Sequence, residues 1–138
     1  MGRIGLGTYP LFSHEETLAL GARLARELPA RAVLALSGDL GAGKTTFVQG
    51  LALGLGLSEP VQSPTFVLLN LYPGLAHFDL YRLATVSDFT SLGFDEYFNF
   101  NGICAIEWPD RIEKILPLGT IYIDLMYEKE GRIAVVSL

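Results

Sequence analysis

The sequence predicts a compact three-layer α/β domain with a mostly parallel central sheet and antiparallel hairpin additions. Three observations predict it. Residues 32–36 (AVLAL) and 103–106 (ICAI) are short unbroken apolar runs, as strands buried on both faces require. Leu20, Leu24 and Leu28 recur at helical spacing, as do Phe47, Leu51 and Leu55. Pro73-Gly74 and residues 128–131 each separate two strand-like segments, as hairpin turns do.

Taken in order, GRIGLGTY near the N-terminus reads as a short strand. Ser13-His14-Glu15-Glu16 fits a capping box, with Ser13 accepting from the Glu16 amide and Glu16 reaching back. The leucines that follow, with Gly21 and Ala25 beside them, predict a helix that stops before Pro29. The 32–36 strand runs into a glycine-rich turn, and a second helix carries Phe47, Val48, Leu51 and Ala52 and fades at Gly54 and Gly56. Residues 66–72 and 75–81 form the first hairpin, and 85–98 read as helical or irregular. The 103–106 strand ends at Glu107-Trp108-Pro109, and 120–127 with 132–136 make the last hairpin.

Composition sets the bounds. A chain of 138 residues, half of them hydrophobic and 18% charged, is long enough for one domain with a sizeable core. No apolar run approaches the roughly 20 residues that span a bilayer, and MGRIGLGTYP does not read as a secretion signal. The one cysteine, Cys104, suits a reducing compartment and reads as a small buried hydrophobe. A cytoplasmic protein without membrane contact is expected. Net charge is −5 and the ten basic residues are scattered, which disfavours direct nucleic-acid binding as the main activity.

The glycine-rich turn carries the chemistry. Gly38-Asp39-Leu40-Gly41-Ala42-Gly43-Lys44-Thr45 matches G-x-x-x-x-G-K-[ST] in full, and Thr46 follows. Its glycines let backbone N–H groups approach phosphate oxygens, and the helix that starts there points unsatisfied amides at the same anion. Lys44 is placed to reach the β- and γ-phosphates, and the Thr45 hydroxyl suits Mg²⁺. Such a match arises by chance in about one chain of this length in several hundred, and here a buried-type strand precedes it and an amphipathic helix follows. The predicted fold is therefore a P-loop NTPase domain spanning residues 1–138. No Asn-Lys-x-Asp motif is present to read guanine, so ATP is the expected nucleotide.

Mg²⁺ needs an acid besides Thr45, typically at the end of a neighbouring buried strand. Glu107 closes such a strand. Trp108 beside it reads equally as packing or as function. In AHFDLYRL, residues 76–83, Ala76, Phe78 and Leu80 alternate with His77 and Asp79, so one strand face carries an imidazole and an acid. His77 reads as a strand-face residue, and Arg82 is the only arginine near the acids. Ser63-Pro64-Thr65 is either a plain turn or a loop that senses the γ-phosphate through a hydroxyl.

GDLGAGKTTF, SPTF, HFDLYRL and IEWPDR, in this order and over about residues 8–136, closely resemble the TsaE (YjeE) family. That family is the ATPase component of the bacterial machinery that makes N6-threonylcarbamoyladenosine (t6A) in tRNA. The resemblance implies binding and slow hydrolysis of ATP with Mg²⁺, and association with the TsaB and TsaD proteins, through which alone tRNA would be contacted. It implies that Thr45 and Glu107 hold Mg²⁺, that Asp79 is a catalytic or metal-supporting acid, and that Thr65 belongs to a switch loop. Trp108 would lie beside the nucleotide, while Ser13, His14 and Arg132 would approach its base.

Catalysis would then rest on Lys44, Asp79 and Glu107. The nucleotide would contact Leu40, Gly41, Ala42, Gly43, Lys44, Thr45 and Thr46. Two other classes fit the P-loop on the sequence alone. A small-molecule kinase would use Asp79 as base and Arg82 as clamp. A nucleotide-gated binding module would report ATP to a partner without meaningful catalysis.

Overall fold

The computed structural model describes residues 6–38, 43–58, 61, 68–128 and 131–138. One seven-stranded sheet runs through it. Its strands are β1 (Gly7–Leu11), β2 (Ala32–Ser37), β3 (Leu69–Tyr72), β4 (Leu75–Asp79), β5 (Ile103–Glu107), β6 (Ile121–Glu128) and β7 (Gly131–Ser137). Their spatial order is β1-β7-β6-β2-β5-β4-β3. The four middle strands, β6, β2, β5 and β4, are parallel, whereas β1, β7 and β3 pair antiparallel at the flanks. The mostly parallel centre with hairpin additions is the predicted architecture.

Burial explains the apolar runs. Leu34, Ala35, Leu36, Ala105 and Ile106 have no exposed surface, because both faces of β2 and β5 are covered. One face carries helices α1 (His14–Glu27) and α2 (Lys44–Gly54), whose Leu20, Leu24, Phe47 and Leu51 pack with Leu34, Leu36 and Ile123. The other face is covered by the short helix α3 (Val86–Ser91) and 3-10 segments at Phe94–Asn99 and Pro109–Ile115. There Phe78 of β4 meets the rings of Phe89, Phe94 and Tyr97 at centroid distances of 5.4, 5.2 and 5.8 Å. Tilted and edge-on contacts of this kind give an aromatic layer where the sequence showed only a helical or irregular stretch.

Local signals set the element ends. Ser13 caps α1 by accepting from the Glu16 amide at 3.1 Å, and Glu16 reaches back to the Phe12 amide at 2.9 Å. Helices α1 and α2 touch through glycines. A Cβ on Gly21 would run into the Phe47 carbonyl, one on Gly50 into that of Leu18, and one on Gly54 into that of Ala22. Of the expected strand 66–72, residues 66 and 67 lie outside the described residues and the strand begins at Leu69, while its partner ends at Asp79 rather than residue 81. Beyond Leu80 the chain turns, with the Leu83 amide donating to the Leu80 carbonyl at 3.0 Å. That turn sets the direction of everything after Asp79.

Candidate nucleotide site

Parallel strands end together, and ligands of open α/β sheets bind beyond their carboxyl ends. Strand β2 ends at Ser37 and leads into the glycine-rich loop. On one side of it, Leu36 pairs in register with Glu107 of β5, and Glu107 with Asp79 of β4. Chain alternation puts Glu107 and Asp79 on the same face as Leu36, the face covered by α2. Two acids remote in sequence thus arrive beside the start of one helix.

That helix is prepared for an anion. Gly43, its N-cap, has φ 103°, a left-handed conformation that glycine adopts without steric cost. No side chain caps the first turn and no acid lies in it, so its amides and dipole present positive potential. Lys44 is only 5% exposed. Its Nζ donates to the Gly38 carbonyl at 2.6 Å and lies 3.7 Å from the centre of the Trp108 ring. A carbonyl and a π face thus stabilise the buried ammonium. Thr45 and Thr46 follow on the same turn and are half-buried.

Trp108 adopts φ 58°, the only non-glycine residue with positive φ among those described. This left-handed step, just after β5 and before Pro109, turns the indole toward Lys44 and Tyr81, whose ring lies 4.9 Å away. A bulky residue in that region is held there by its surroundings.

The acids differ in environment. Glu107 is 4% exposed, and its Oε2 lies 2.6 Å from Nε2 of His77, which has no exposed surface. Asp79 is half-buried, and its Oδ1 accepts from the Tyr81 amide at 3.1 Å. Desolvation raises the Asp79 pKa above its usual 3.8 and Glu107 pushes the same way, against the Tyr81 amide, His77 and Lys44. Two mutually repelling carboxylates, with the Thr45 hydroxyl on the first turn of α2, offer oxygen donors only, which suits a hard divalent cation. No cluster of three or more His, Cys, Asp or Glu suited to a metal occurs among the described residues. Mg²⁺ held through a nucleotide's phosphates needs only one or two carboxylates, so the residues fit that ion.

Ser13, His14 and Arg132 come together although they lie far apart in sequence. With Leu11, Phe12, Tyr127 and Gly131 they line a recess of about 380 Å³. The Arg132 guanidinium lies 5.3 Å from the centre of the Tyr127 ring. A Cβ on Gly43 would stand 3.8 Å from Arg132 and from Thr17, so the recess adjoins the last glycine of the loop.

Leu40, Gly41, Ala42 and Thr65 lie outside the described residues. Arg82 is exposed. His77 lies on a strand face, as expected, and is fully buried there. Strand β4 lies inside the sheet, where Leu75, Ala76, His77 and Phe78 all lose their exposed surface. The His77–Glu107 bond was missed in the sequence because it spans 30 residues. The signal available was the polar residue two positions before Asp79 in a strand flanked by apolar neighbours.

The model of the family described as threonylcarbamoyl adenosine biosynthesis protein TsaE matches residues 11–134. A tRNA threonylcarbamoyladenosine biosynthesis protein TsaE of Treponema pallidum (strain Nichols) is 44% identical over 123 residues, covering 87% of this chain and 91% of the relative. Its namesake in Nostoc sp. (strain PCC 7120) is 45% identical over 129 residues, covering 88% of this chain and 78% of the relative. A crystal structure of YdiB from Bacillus subtilis is similar with a TM-score of 0.80 at 33% identity, covering 99% of this chain and 87% of that one. On the family match and these relatives, the chain belongs to the TsaE family.

Proposed function

We propose that the protein is a Mg²⁺-dependent P-loop ATPase, weak alone, that works with TsaB and TsaD in the threonylcarbamoyl modification of adenosine 37 in tRNA. In this reading its ATP hydrolysis supports repeated turnover of the complex. The t6A role follows the names of its relatives. The observation that carries the ATPase reading is the convergence of Lys44, Glu107 and Asp79 at the ends of β2, β5 and β4.

In this reading the first-turn amides of α2 and Lys44 bind the phosphates. Lys44 exchanges the Gly38 carbonyl and the Trp108 face for phosphate oxygens. Thr45 and Glu107 would hold Mg²⁺, which would supply positive charge to offset the charge that develops on the phosphates. Asp79 keeps Oδ1 on the Tyr81 amide, leaving Oδ2 to orient the attacking water and accept its proton. A raised pKa makes it a better base than an ordinary carboxylate. Ser13, His14 and Arg132 receive the base in their recess, and Trp108 flanks the phosphate end. The acidic net charge suits contact with tRNA through protein partners.

The test mixes the purified protein with TsaB and TsaD and follows ATP hydrolysis. Association and stimulated hydrolysis are expected, with Asp79→Ala and Glu107→Ala folded but inactive. Lys44→Ala loses a charge-assisted contact and should bind ATP about 10–100-fold more weakly. Absence of association and stimulation refutes the partner-dependent reading. ATP consumption that yields a phosphorylated metabolite identifies a small-molecule kinase instead.

A further inference from the structure

His77 is a buried polar side chain for which ATP binding and hydrolysis, as read above, supply no role. It has no exposed surface and sits between Ala76 and Phe78, which have none either. Burying an imidazole there is unfavourable unless a partner repays it. The partner is Glu107, with Nε2 and Oε2 separated by 2.6 Å. An ionised carboxylate only accepts, so the proton is on Nε2 and the imidazole donates.

The register shows how the bond is built. His77 pairs directly with Ala105 and Asp79 with Glu107, so His77 reaches Glu107 along the diagonal of adjacent strands. Ala105 presents only a methyl group on this face and leaves the imidazole room to cross. Glu107 has three rotatable side-chain bonds, and anchoring one carboxylate oxygen removes the freedom of the last. Its other oxygen, Oε1, makes no hydrogen bond among the described residues.

We propose that His77 is a positioning residue whose Nε2–H holds Glu107 Oε2 so that Oε1 is presented to the divalent cation accompanying the nucleotide. This deepens the nucleotide reading and rests on Glu107 as the metal-holding acid. Hydrogen-bonded supports of this kind orient metal ligands, and losing one typically weakens metal affinity about 10–100-fold.

The test uses the full chain, a non-hydrolysable ATP analogue and Mn²⁺. Analogue affinity is measured with and without the metal for His77→Leu, His77→Asn, His77→Gln and Glu107→Ala. A glutamine amide reaches roughly where Nε2 stands, whereas an asparagine amide reaches only the place of Nδ1. His77→Leu and His77→Asn should lose about tenfold or more of the affinity that Mn²⁺ adds. His77→Gln should keep most of it, and metal-free affinity should hold in all three. If His77→Leu does not fold, the Gln and Asn variants decide. Equal Mn²⁺ gains in Gln and Asn, or a wild-type gain in Asn, overturn the proposal. If Glu107→Ala loses the gain while the His77 variants keep it, only the positioning role falls. Should Glu107→Ala keep the gain, the reading of Glu107 itself falls, and with it the role of His77.

Discussion

Asp79 holds the balance between stability and chemistry at the level of a single side chain. Its pKa is raised chiefly by desolvation, so folding favours its protonated form. That contribution is complete below the ordinary value of 3.8 and is lost as pH rises through the raised one. Near neutrality the charged Asp79 therefore costs stability. Asp79→Asn removes the charge and keeps an oxygen for the Tyr81 amide. Thermal melting without nucleotide or metal should give this variant the higher Tm at neutral pH, with the gap closing toward pH 4, while hydrolysis is lost. A lower Tm at neutral pH would show that the carboxylate stabilises the empty site. Lys44 and Glu107 were legible from the sequence because a loop motif and a strand end announce them. The bond from His77 was not, because it depends on which strands become neighbours.

Among the elements, the α1–α2 pair has the least room to change. Gly21, Gly50 and Gly54 let the two backbones touch, and α2 carries Lys44 and Thr45 at its other end. Gly50→Ala would improve helix propensity by about 1 kcal/mol, yet its methyl group would collide with the Leu18 carbonyl, which cannot swing aside as a side chain can. The clash should win, with net destabilisation of about 1–3 kcal/mol, as for overpacked cores. Urea unfolding checks this, and a variant as stable as wild type would show that the helices separate at no cost. The sequence displayed Gly21 as a helix neighbour and Gly54 as part of a fading helix end, and Gly50 stood out in neither way. Their shared purpose appears only once α1 lies on α2. Helix periodicity and buried runs announced the elements themselves, whereas the aromatic layer around Phe78 lacked any regular period.

Across the whole molecule, sheet order does what no single motif can. Placing β2 between β5 and β6, with β4 beyond β5, brings Ser37 at the end of β2 together with Glu107 and Asp79 at one end of the sheet. The β6–β7 hairpin brings Arg132 beside Gly43 and next to Ser13 and His14. Parallel centre and hairpin flanks were predictable from buried runs and turn residues, but strand order was not, since several orders bury the same residues. Among the described residues no helix is long and apolar enough to cross a membrane. The most direct measurement is a crystal structure with Mg²⁺ and a non-hydrolysable ATP analogue. It should show the triphosphate at the first turn of α2, Lys44 moved from the Gly38 carbonyl to phosphate oxygens, and Mg²⁺ on Thr45 and Glu107. A triphosphate bound elsewhere, or a metal that ignores Glu107, would contradict the account.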